Sequence, residues 1–159
     1  MAEKLGIKQE AIAPTGNWIG ALLVEAGLRG AESILLLGYQ GKLIKLAGGI
    51  FNTSSHLADA KLEIISAAVV RIAGNIAAAQ AVLNAKTADA AYKTLVELGF
   101  AESVFEALAQ MISEKAQAYV QKYANVALKV GTVLCDRQGD IIIRDAIAAE
   151  ILKSICRVR

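Results

Sequence analysis

The chain has 159 residues, 55% of them hydrophobic, and 17 basic side chains against 15 acidic ones, a formal net charge of +2. That length supports one domain with a real core, and the balanced charge points away from nucleic acid as a partner. The apolar excess is largely alanine, and the longest charge-free helical stretch, from Ile72 up to Lys86, is interrupted by Asn75, Gln80 and Asn84, which excludes a membrane span there.

The first ten residues, MAEKLGIKQE, lack the apolar core of a signal peptide, so a cytoplasmic location is expected. Two cysteines, Cys135 and Cys156, and one histidine cannot make a typical zinc site. No metal site is expected, and both thiols are read as reduced. The apolar content, with mean hydropathy +0.46, suggests a surface covered by a second domain or another copy of the chain.

In chain order, residues 3–8 read as a short helical remnant and residues 11–13 as a possible short strand closed by Pro14, the only proline. Thr15 and Asn17 are placed to cap a helix that runs to about Leu28, with Ile19, Leu22, Leu23 and Ala26 as its apolar stripe and Gly27 and Gly30 closing it. Residues 32–37 are an apolar run after one charge, as expected of a strand buried on both faces. Strand, helix and strand joined by glycine turns point to an α/β fold with a parallel sheet. Residues 41–46 read as a short helix and 50–52 as extended chain.

A long alanine-rich helix is predicted over residues 57–85, with Leu62, Ile65, Val69, Ile72, Ile76, Ala79 and Leu83 as one core-facing stripe. Gly74 costs such a helix about 1 kcal/mol against alanine and suggests a close contact. Thr87 and Ala101 open two further helices separated at Gly99, a natural residue for a helix end, and the pair reads as a helical hairpin. Residues 127–135 and 141–143, joined by the turn Asp136-Arg137-Gln138-Gly139-Asp140, read as a β-hairpin, and residues 146–155 as a closing helix.

The stretch from Ser33 to Lys61 holds the chemistry. Four glycines, Gly38, Gly41, Gly48 and Gly49, fall within twelve residues, and Asn52, Thr53, Ser54, Ser55, His56 and Asp59 follow. Glycines between a strand and a helix let backbone N–H groups approach an anion, to which Lys42 and Lys45 would add full charge. The spacing is neither GxxxxGK[ST] nor GxGxxG. A tight turn whose glycines serve only packing explains the same residues. Ser54 or Ser55 can cap the long helix, with Asp59 in its first turn and Glu63 four residues on, and Asn17 can be a ligand contact or a cap. His56 is the one candidate general base by residue type.

Two segments, Gly16-Asn17-Trp18-Ile19-Gly20 and the run from Leu36 through Gly38-Tyr39-Gln40-Gly41-Lys42 to Phe51-Asn52-Thr53, continuing through Ser55 and Ala58-Asp59, resemble the cobalt-precorrin-5B C1-methyltransferases of anaerobic cobalamin (vitamin B12) biosynthesis. The tail around Asp136–Asp140 is similar as well. The resemblance implies a Rossmann-like sheet, parallel or mixed, and a single domain over residues 1–159 equivalent to the family's C-terminal part, its N-terminal domain being absent. It implies transfer of a methyl group from S-adenosylmethionine to C1 of a cobalt-corrin precursor. Asn17, Gly38, Gly41, Asn52 and Thr53 would then meet the methyl donor, and Lys42, Lys45 and Lys61 the carboxylates of the corrin. His56 and Asp59 are the candidates for chemistry. The family has Thr-His-Ser where this chain has Thr53-Ser54-Ser55, so that histidine's role does not carry onto Ser54. The alternative is a module from the same domain that binds an anionic ligand without chemistry or serves oligomerisation.

Overall fold

The computed structural model describes residues 2–157. Its centre is a strand that comes late in the sequence. Three strands, β1 (Ser33–Tyr39), β2 (Lys129–Cys135) and β3 (Ile141–Arg144), form one mixed sheet in the order β1-β2-β3. β1 and β2 are parallel, with Ser33 opposite Lys129 and Tyr39 opposite Cys135, and β3 returns antiparallel to β2. Among the described residues seven α-helices surround this sheet: α1 (Ile19–Leu28), α2 (Gln40–Ala47), α3 (Lys61–Ala73), α4 (Ile76–Leu83), α5 (Ala88–Glu97), α6 (Ala101–Ala124) and α7 (Ala146–Arg157).

The period-two alternation of β2 divides the core. Val130 and Leu134 join the main cluster built on α6, while Val133 and Cys135 pack with Ala148 and Leu152 of α7. Gly131 is the point of closest approach: a Cβ there would lie 2.4 Å from the backbone nitrogen of Ala148. The strand buried on both faces is therefore β2. β1, for which that burial was expected, has Leu36 as its one buried residue, because it bonds to a neighbour along one edge only.

Several expectations hold. The short helix becomes α2, and α5 and α6 form the hairpin, with Thr87 Oγ1 accepting from the Ala90 backbone N–H at 3.1 Å and Gly99 at φ +76°. The β2–β3 turn carries Gly139 at φ +83°, and α7 follows. Cys135 is buried; the side chain of Cys156 lies outside the described residues.

Others are corrected. Residues 11–13 are not a strand: a 3-10 turn (Gln9–Ala11) leads into exposed irregular chain, and alanine supplies little β preference. Trp18 occupies the N-cap of α1, and neither Thr15 nor Asn17 caps it. Gly27 lies inside α1, where a Cβ would come within 2.9 Å of Val120, and Gly30 at φ +82° follows the helix. The long helix is two helices. Gly74 adopts the left-handed conformation at φ +60° and ends α3, and the Asn75 side chain accepts from the Ala78 N–H at 2.9 Å to start α4. The break turns Ile72, Ile76 and Leu83 outward, while Ile65, Val69 and Ala79 stay buried. No helix among the described residues is long and apolar enough to cross a membrane.

Candidate functional site

The two segments singled out in the sequence meet at the start of α1. The Gly20 N–H donates to the Phe51 carbonyl at 3.1 Å, and the Thr53 N–H donates to the Asn17 carbonyl at 3.0 Å. Glycine is required for this approach, since a Cβ at Gly20 would lie 2.9 Å from both the Phe51 Cβ and the Tyr119 hydroxyl. Phe51 stacks on Tyr119 with ring centroids 4.0 Å apart, which fixes the loop from the core side. The Asn17 carboxamide oxygen then accepts from Lys42 Nζ at 2.6 Å and from the Thr53 hydroxyl at 3.3 Å. Asn17, Lys42 and Thr53, from three separate stretches, are thus brought together.

Loop 52–60 is shaped by Lys45, which is 1% exposed. Its ammonium donates to the carbonyls of Thr53 (3.2 Å) and Ala58 (2.8 Å) and to the Ser55 hydroxyl (3.1 Å). Three protons meet three acceptors, so the group is fully used inside the protein. Asp59 Oδ1 stands 3.7 Å from Lys45 Nζ and accepts from Lys61 Nζ at 2.5 Å. The hydrogen bond from Lys61 lowers the Asp59 carboxyl below its usual value, and the charges of Lys61 and Lys45 add to this against the opposing effect of burial.

The expected helix start at residue 57 is therefore a loop. α3 begins after Ala60, and neither Ser54 nor Ser55 caps it. Asn52 instead accepts from the Ser54 N–H at 3.1 Å, and the Ser54 carbonyl accepts from Leu57 and Ala58. His56 sits exposed in this turn. Asp59 and Glu63 do not share a helical face, because Asp59 precedes the helix.

The glycine turn is a packing device first. A Cβ on Gly41 would lie 2.5 Å from Cε1 of the Tyr39 ring, whereas one on Gly38 would meet Leu43 at an ordinary 3.4 Å. Laid against Gly41, Tyr39 reaches residues that sequence reading did not select. Its hydroxyl donates to Asp89 Oδ2 at 2.8 Å, Gln40 Nε2 donates to Asp89 Oδ1 at 2.9 Å, and Arg137 Nε donates to Asp89 Oδ2 at 2.8 Å and to the Tyr39 oxygen at 3.2 Å. Burial raises the Tyr39 phenol above its ordinary pKa, with the Arg137 hydrogen bond opposing and Asp89 adding to the rise. None of the ten candidate residues lines either of two surface depressions, of 410 Å³ beside α5, α6 and β3 and of 520 Å³ beside α6 and the start of β2. Among the described residues no group of three or more His, Cys, Asp or Glu side chains is placed to hold a metal.

The family model described as CbiD, C-terminal domain, matches residues 52–146, which include loop 52–60, Asp89 and Arg137. The chain belongs to this family. Curated relatives extend the match across the Asn17 segment. The cobalt-precorrin-5B C(1)-methyltransferase of Gloeobacter violaceus is 55% identical over 151 residues, 95% of this chain and 42% of the relative. Proteins of the same name from Cyanothece sp. (40% identical, 90% of this chain and 39% of the relative) and Nostoc sp. (36%, 98% and 45%) also match. The chain spans less than half the length of each of these relatives. No solved structure matches it. The CbiD domain here is α/β, with seven helices around a small mixed sheet among its described residues.

Proposed function

We propose that this domain forms one wall of a site that transfers a methyl group from S-adenosylmethionine to C1 of a cobalt-corrin precursor in cobalamin biosynthesis. The observation that carries the reading is the junction of Asn17, Lys42 and Thr53, which joins the two resembling segments into one surface. A sulfonium donor is already activated, so the protein's task is to align donor and acceptor rather than to supply acid or base. Lys42 and Lys61 suit the carboxylates of the corrin. Lys45, with its donors engaged, holds the loop that presents them. Asn17, Asn52, Thr53 and the turn at Gly38 and Gly41 offer the donor amide, hydroxyl and backbone groups, and His56 and Asp59 flank the path of the substrate. Further, the β1–β2 pair with its helical crossover is part of a Rossmann-like sheet, residues 1–159 act as a single C-terminal domain, and the remaining part of the longer relatives packs over this site. A chain with two cysteines and no CxxC spacing suits a reducing, cytoplasmic setting.

The test is methyl transfer from labelled S-adenosylmethionine to cobalt-precorrin-5B, run with the chain alone and with the unmatched part of the Gloeobacter relative supplied. Label in the corrin with the second mixture is the expected result. Absence of label from both mixtures, under conditions where the intact relative is active, would overturn the reading.

A further inference from the structure

Among buried side-chain polar atoms of the described residues, Gln40 Oε1 is one without a hydrogen-bond partner. Gln40 is fully buried, and no protein donor faces this acceptor. Its orientation is settled by its other terminal atom, because Nε2 faces a carboxylate of Asp89, which only accepts. Whatever completes Gln40 must therefore be a donor. The same carboxylate holds Arg137 through Nε, and the terminal Nη groups of that 62% exposed side chain have no further partner among the described residues. A buried acceptor without a protein donor and an exposed guanidinium fork are thus fixed to the two oxygens of one carboxylate. They lie where β1 and β2 end in parallel, the end of an α/β sheet at which ligands collect.

We propose that Tyr39, Gln40, Asp89 and Arg137 form a seat for an α-amino-acid head group, with the ammonium directed to Gln40 Oε1 and Asp89 and the carboxylate to the Nη groups of Arg137. Resting on the methyl-transfer reading, this places the methionine end of the donor here and leaves the lysine-bearing face at Lys42 to the corrin. Tyr39 is a positioning residue: its ring, lodged against Gly41, holds Asp89 and Arg137 in place.

Calorimetric titration of the full 159-residue chain tests the seat with three probes: S-adenosylhomocysteine, 5′-methylthioadenosine, which lacks the amino-acid head, and free methionine. Asp89→Asn and Arg137→Gln should each weaken S-adenosylhomocysteine by about tenfold or more, the scale of a lost charge-assisted hydrogen bond, and leave methylthioadenosine unchanged. Arg137→Gln alters an exposed side chain and so reports even if Asp89→Asn lowers the melting temperature. Unchanged S-adenosylhomocysteine affinity in Arg137→Gln, or an equal loss for methylthioadenosine, would overturn the seat while leaving the donor reading standing. Methionine binding that is sensitive to both variants, without binding of either nucleoside, would keep the seat and remove the donor. No binding of any probe would remove both.

Discussion

Lys42 and Lys45 leave the same helix three residues apart and meet opposite surroundings. Lys45 is buried and spends all three protons on loop 52–60, while Lys42 is exposed and makes one contact, to Asn17. The first is scaffold and the second is available. Equal formal charge therefore says little about role; the number of acceptors already facing the ammonium decides it.

The sharpest way to break this contrast is Lys45→Met. Thr53 and Ala58 would lose the donor their carbonyls face, and a loss of about 1–3 kcal/mol in denaturant unfolding is expected, from one buried and one part-buried carbonyl left unpaired. A change within about 0.5 kcal/mol would make Lys45 dispensable and the contrast false. Asn17→Ala comes next. It removes the acceptor of both Lys42 and the Thr53 hydroxyl but keeps the backbone bond from Thr53, so about 1 kcal/mol is expected in the same measurement.

Asp59→Asn is a smaller effect with a pH signature. The folded-state pKa of Asp59 is lowered, chiefly by the Lys61 hydrogen bond, so its stabilisation is present above the ordinary aspartate value of 3.8 and is lost as pH falls through the lower folded value. The wild-type advantage over Asp59→Asn should stay under about 1 kcal/mol at neutral pH, since the group is part-exposed, and vanish in acid melts. An advantage that grows on acidification would contradict the sign. Smallest of all on stability is Lys42→Met, expected within about 0.5 kcal/mol. Its effect should fall on binding, with about tenfold weaker affinity for a polycarboxylated corrin.

What could be read from the sequence were the features carried by neighbours in the chain. Thr87 before a helical run, Gly99 between two runs and Gly139 in a polar turn each act within a few residues, and each does so in the structure. Gly74-Asn75 carried a comparable local signal, a helix stop followed by a cap, but the apolar spacing of three and four continues through it and suggested one helix. The centrality of β2 depends on α6 and α7 packing on its two faces, which no local pattern reports. The site divides in the same way. Asn17, Lys42 and Thr53 stood out by residue type and by resemblance, and the fold brings them together. Asp89 and Arg137 lie 50 and 98 residues from Tyr39 in sequence, on elements whose own patterns point only to helix and turn.

Lysine reductive methylation of the 159-residue chain, read by mass spectrometry with and without cobyrinic acid as a carboxylated cobalt corrin, tests the contrast and the site together. Lys42 should modify readily in the free protein and be protected by the corrin, while Lys45 should stay unmodified in both. Modification of Lys45 as fast as Lys42, or a corrin that protects neither, would contradict it.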